Sequence, residues 1–95
     1  MAFEQLEKNT QSVAVLLKAL SNDKRLGIAC VLANGEQSVG ELEKVIGLSQ
    51  SALSQHLARL RRDKIVETRR EAQTIYYSLS SERVKTLLGC LDKLF

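Results

Sequence analysis

Between Ser49 and Asp63 the chain reads SQSALSQHLARLRRD, a run in which Ser51, Ser54 and Gln55 precede Arg59, Arg61 and Arg62. Hydroxyl and amide side chains of this length can donate and accept hydrogen bonds at base edges, and Gln can pair in bidentate fashion with adenine. Guanidinium groups neutralise phosphates and fix register without reading sequence. The chemistry on offer is recognition of a polyanion, not bond-making. A merely polar, solvated helix face is the plainer alternative.

Nothing points to catalysis or to a metal. His56 is the only histidine, and zinc needs several His, Cys or carboxylate ligands converging on one point. Cys30 and Cys90 fall on different segments, so a Cys–His nucleophilic pair would lack an orienting third group. His56 reads as a boundary residue at the edge of a packed face. No catalytic residue, metal or cofactor is expected.

The elements that position these groups follow from periodicity. Residues 3–20 place Phe3, Leu6, Val13, Leu16, Leu17 and Leu20 at approximate helical spacing, and a second helix runs from about Asp23 to Ala33. Ser38-Val39-Gly40-Glu41 fits a capping box that opens a short third helix, with Gly47 as its stop. Ser49 can cap a fourth helix that reaches about Asp63. At 100° per residue, Leu53, Leu57 and Leu60 fall within an arc of about 60° that must face the core. Ser51, Gln55, Arg59 and Arg62 lie opposite, with Ser54 and Arg61 on one flank.

After Asp63 the period changes from 3.6 to 2. Ile65–Arg70 and Thr74–Leu79 are rich in β-branched and aromatic residues, which predicts a hairpin turning near Glu71-Ala72-Gln73. Arg69, Arg70 and Gln73 sit around its tip, where an arginine could enter a minor groove or hold a phosphate. The plainer reading is a charged hairpin that blocks edge-to-edge pairing. Ser80 or Ser81 then caps a last helix with an apolar stripe of Val84, Leu87, Leu88, Leu91 and Leu94. Four helices, a hairpin and a helix make a mainly α winged helix-turn-helix, one domain over residues 1–95.

Composition agrees. The chain has 95 residues, 26% of them charged and 44% hydrophobic, with a net charge of +3. Residues 49–73 hold six basic and three acidic side chains, and the remainder is balanced at eight of each. All of the excess positive charge therefore lies beside the candidate reading helix, the footprint of a polyanion-binding surface. No apolar run approaches the ~18–20 residues of a membrane span, and the start MAFEQLEKN lacks a signal-peptide pattern. No membrane association and a cytoplasmic location are expected. A domain of this size is marginal alone, so burial between two copies would supplement its core.

The runs LSQSALSQHLARLRRD and TRREAQTIYYSL, with ALSNDKRLGIACVL and SVGEL before them, resemble the ArsR/SmtB family of bacterial transcriptional repressors and, within it, the branch of HlyU, NolR and BigR. The likeness covers about residues 13–95. It implies a homodimer, built from the first and last helices, bound to palindromic double-stranded DNA. Gln50, Ser51, Ser54 and Gln55 match the family's base-reading positions. The apolar side of residues 6–20, including Leu6, Val13 and Leu17, and the stripe Val84-Leu88-Leu91 match its dimer helices. Lys64 stands where relatives usually carry glycine; a positive φ there would cost a lysine some strain.

Neither metal-sensing pattern of the family is present in GEQSVGEL or SERVKTLLGCLDKLF, so no metal is expected. The resemblance instead implies a thiol switch. Cys30 matches its first cysteine, whereas the second would lie just past Leu94-Phe95, and Cys90 is six residues earlier. Six helical residues amount to ~9 Å of rise, too far for a simple substitute. Redox candidates are thus Cys30 and Cys90, against the reading of Cys30 as a small buried apolar side chain. The expected function is operator binding with steric exclusion, as repressor or anti-repressor, open to modulation by thiol oxidation or reactive sulfur. A protein-interaction module on the same scaffold is the alternative.

Overall fold

The computed structural model describes residues 2–95, the side chain of Leu6 excepted. The order is α1 (Phe3–Leu20), α2 (Asp23–Ala33), β1 (Gln37–Ser38), α3 (Val39–Ile46), α4 (Gln50–Arg62), β2 (Val66–Glu71), β3 (Thr74–Leu79) and α5 (Glu82–Leu94). Helix starts follow their caps. α2 starts at Asp23 as expected, and Asn22 caps it by accepting hydrogen bonds from the Lys24 and Arg25 amides. Ser38 and Glu41 form the reciprocal capping box of α3, which ends at Gly47 with φ 77°. The Ser49 and Ser81 hydroxyls accept from the Ala52 and Val84 amides. Ser80 instead ties the end of β3 to the start of the sheet, its hydroxyl donating to the Lys64 carbonyl at 2.9 Å.

The hairpin is part of a three-stranded antiparallel sheet of order β1-β3-β2. Glu71 pairs with Thr74, which leaves Ala72 and Gln73 as the turn, and Ala72 has φ 56°. Lys64, which joins α4 to the sheet, has φ 60°, the left-handed conformation its position implied. Side chains alternate between faces along each strand. Val66, Thr68 and Arg70, opposite Leu79, Tyr77 and Ile75, share the face whose inner end is buried. Glu67, Arg69 and Glu71, opposite Ser78, Tyr76 and Thr74, share the other.

The core gathers Leu53, Leu57 and Leu60 of α4 with Ile28, Leu42, Ile65 and Val84. Truncating a fully buried Leu costs about 2–5 kcal/mol, so these three leucines anchor α4 firmly. Arg25 is the buried cation of the fold, 9% exposed, and its guanidinium donates to the Ala19 and Lys18 carbonyls at the end of α1. These carbonyls lie in the last turn of α1, at the negative end of its dipole, and the Lys18 carbonyl also accepts from the Ser21 amide. Arg25 thereby locks α1 to α2 without a carboxylate.

Candidate nucleic-acid interface

The leucine anchor determines what α4 presents outward. Gln50, Ser51, Ser54 and Gln55 are all exposed, Ser51 and Gln55 opposite Leu53, Leu57 and Leu60 and the other two on the flanks. His56 is half-buried at the boundary, where the spacing put it. Short polar groups occupy the N-terminal half of this face and cations the C-terminal half, a division that suits insertion into a major groove with phosphates along the flank.

The arginines are not equivalent. Arg62 is exposed, with its Nε 3.5 Å from Asp63 Oδ1. Arg59, expected on the open face, is half-buried instead: its Nε lies 3.7 Å from Asp63 Oδ2 and has no hydrogen-bond partner. The reason is Asp63, the C-cap of α4, one helical turn beyond Arg59. Arg61 is exposed and forms no ion pair among the described residues. With Ser54, Ala58, Arg62 and Tyr77 it lines a notch of about 430 Å³ between α4 and β3. Tyr77 is not among the expected contact residues, although strand alternation places it on the same face as Ile75 and buried Leu79.

The hairpin splits its two arginines. Arg70 and Gln73 are exposed, and Arg70 has no ion pair among the described residues. Arg69, a candidate DNA contact, is exposed but ion-paired. Its guanidinium donates to Glu36 through Nε at 2.9 Å and Nη2 at 2.8 Å, to Glu71 through Nη1 at 3.0 Å, and lies over the Tyr76 ring. The Glu36 and Glu71 carboxylates hold its proton more firmly than in a free arginine. Glu36 precedes β1 by one residue, and nothing local in the sequence announces the pairing.

Other expected residues separate likewise. Val84 is fully buried and Leu88 nearly so, both in the chain's own core, which corrects their assignment to a dimer surface. They face inward because the α5 stripe packs on α2 and β3. Leu17 is 50% exposed, Val13 and Leu91 are half-buried, and Leu6 lies outside the described side chains. Phe3 and Val15 on α1, with Leu94 and Phe95 at the end of α5, add exposed apolar surface. Cys30 and Cys90 are both free and exposed, so Cys30 is not the buried apolar side chain of the plainer reading. Cys30 lines a cleft of about 410 Å³ with Asn34, Lys85, Leu88 and Asp92. Among the described residues no helix is long and apolar enough to cross a membrane.

Comparison with known proteins places this geometry. The bacterial regulatory protein arsR family matches residues 22–68. The transcriptional activator HlyU of Vibrio cholerae is 54% identical over 95 residues, covering 100% of this chain and 88% of that protein. The crystal structure of the transcriptional repressor BigR from Xylella fastidiosa superposes with a TM-score of 0.96 at 46% identity, covering 100% of this chain and 97% of that one. A homodimeric winged helix-turn-helix DNA-binding domain from Mycobacterium bovis gives a TM-score of 0.82 at 30% identity, with 99% and 86% covered. The mainly helical fold with its small antiparallel sheet, the exposed polar face of α4 and these relatives agree: the chain belongs to the ArsR family and is a transcriptional regulator with a DNA-binding winged helix-turn-helix, not an enzyme.

Proposed function

We propose that this regulator works in the cytoplasm as a homodimer that binds palindromic operator DNA and acts by steric exclusion, as repressor or anti-repressor. The observation that carries the reading is the exposure of Ser51 and Gln55 on the face of α4 opposite three buried leucines, with exposed Ser54 on its flank. Gln50, Ser51, Ser54 and Gln55 read bases in the major groove. Arg62 meets phosphates beside α4, Arg59 lends charge from its half-buried place by Asp63, and Arg70 and Gln73 approach the backbone from the wing. Exposed apolar side chains on α1 and the end of α5 support pairing of two copies, and the Mycobacterium bovis relative is described as homodimeric.

The test is a gel shift with random-sequence duplexes at low salt, followed by selection of the bound sequences. Binding that falls steeply with salt, and selected sites with two-fold symmetry, are the expected results. Absence of DNA binding would leave the interaction-module alternative standing. Two exposed thiols favour a second element, modulation by thiol chemistry. Reduced, peroxide-treated and persulfide-treated protein should then differ in DNA affinity, and Cys30→Ser should not respond; equal affinity in all three states removes it.

A further inference from the structure

The outer face of the sheet carries a set of contacts that base reading does not use. Arg69 on β2 and Tyr76 on β3 are cross-strand partners, and the guanidinium carbon lies 4.5 Å from the centre of the Tyr76 ring. Beyond the ring, Nε and Nη2 grip the two oxygens of Glu36 at 2.9 and 2.8 Å. Glu36 shares the parity of Ser38, which pairs with Tyr76 from the other side of β3. One side chain therefore straps the sheet from one edge strand, across the middle strand, to the residue that leads into the opposite edge.

An isolated exposed ion pair contributes little, because two flexible side chains lose entropy in making it. This one differs. The fork is bidentate, Glu71 holds the remaining nitrogen at 3.0 Å, and the ring closes one face of the guanidinium. β1 runs directly into α3, so the strap joins the wing to the start of the helix-turn-helix. Arg69 also points away from the face shared by Arg70, Tyr77 and the notch beside α4.

Resting on the DNA-binding reading above, we propose that Arg69 is a positioning residue: strapped to Glu36 over Tyr76, it fixes the wing relative to α3 and α4 so that Arg70, on the opposite face, meets the phosphate backbone. Electrostatics alone gives the opposite expectation for its partner. Removing the Glu36 carboxylate makes the domain more positive and frees a guanidinium, which should tighten DNA binding if Arg69 were a phosphate contact or an idle surface pair.

The experiment measures binding of the full chain to short random-sequence duplexes for wild type, Glu36→Ala, Arg70→Ala and the double variant, with thermal melts of each. Glu36→Ala should weaken binding severalfold while the melting temperature stays within a few degrees. Arg70→Ala should weaken it roughly tenfold, the order of one charge-assisted hydrogen bond. The double variant should be no weaker than Arg70→Ala, because the strap acts through that residue. Faster amide exchange across β2 and β3 in free Glu36→Ala protein is the accompanying signature. Wild-type binding with Glu36→Ala unchanged or tighter, or with additive losses in the double variant, overturns the strap alone. Wild type that binds none of the duplexes overturns the DNA-binding reading and the positioning role with it.

Discussion

Arg69 and Arg70 are adjacent in sequence but face opposite sides of the wing: the first is tied to Glu36 and Glu71, and the second, paired in register with Ile75, has no ion pair among the described residues. The wing's available cation is therefore Arg70. Arg70→Ala should lower the slope of log affinity against log salt by about 0.9 for each phosphate that Arg70 neutralises. Salt titration of both proteins on one duplex measures it, and an unchanged slope would remove Arg70 from the backbone contacts.

Gln55 is exposed on the face of α4 opposite the leucine anchor, with an amide that suits an adenine edge. Gln55→Ala should cost about 1–3 kcal/mol on a selected site and relax base preference at one position in each half. Competition among single-base variants of the site would show this. A uniform loss over every variant would count against base reading.

Lys64 sits at φ 60°, a conformation that glycine adopts without the Cβ penalty. The left-handed region costs an L-residue about 1–2 kcal/mol, and the extra freedom glycine gains on unfolding offsets part of that. Lys64→Gly should raise stability by about 0.5–1 kcal/mol, seen as a melting temperature a few degrees higher at fixed protein concentration. A lower value would mean that the lysine side chain makes a contribution larger than the strain.

The Glu41 carboxylate accepts from the Ser38 amide at 2.9 Å, and the hydrogen bonds from Ser38 hold its pKa below the usual 4.5. A depressed folded pKa stabilises the protein above the unfolded value and loses that contribution as pH falls through the folded one. The stability difference between wild type and Glu41→Gln should thus be constant above about pH 5 and shrink in more acidic solution. Denaturant melts at several pH values test it; a difference that grows on acidification would reverse the sign.

Much of this molecule was legible from residue order because its helices carry local punctuation. Ser38, Gly47, Ser49 and Ser81 mark element ends through contacts within four residues, and the observed boundaries follow them. The outward face of α4 was readable because leucines and polar residues separate cleanly at helical spacing. In α2 they do not: Ile28-Ala29-Cys30-Val31-Leu32-Ala33 is apolar all round, so the pattern gave no sign that Cys30 would be exposed. The strand β1 is two residues long and overlaps the capping box, which hides it. Glu36 and Arg69 are 33 residues apart, a distance over which no periodicity speaks, and the half-burial of Arg59 escapes helical spacing because its partner doubles as a helix cap.

Arg25 closes the joint between α1 and α2 on two main-chain oxygens of α1. In the paired assembly proposed above, α1 carries exposed apolar side chains, so the angle of that joint sets how far apart the two reading heads stand. Loosening it would leave each head intact and able to grip a single half of its target. What would change is the span between halves, and with it which spacing along the duplex the pair can straddle.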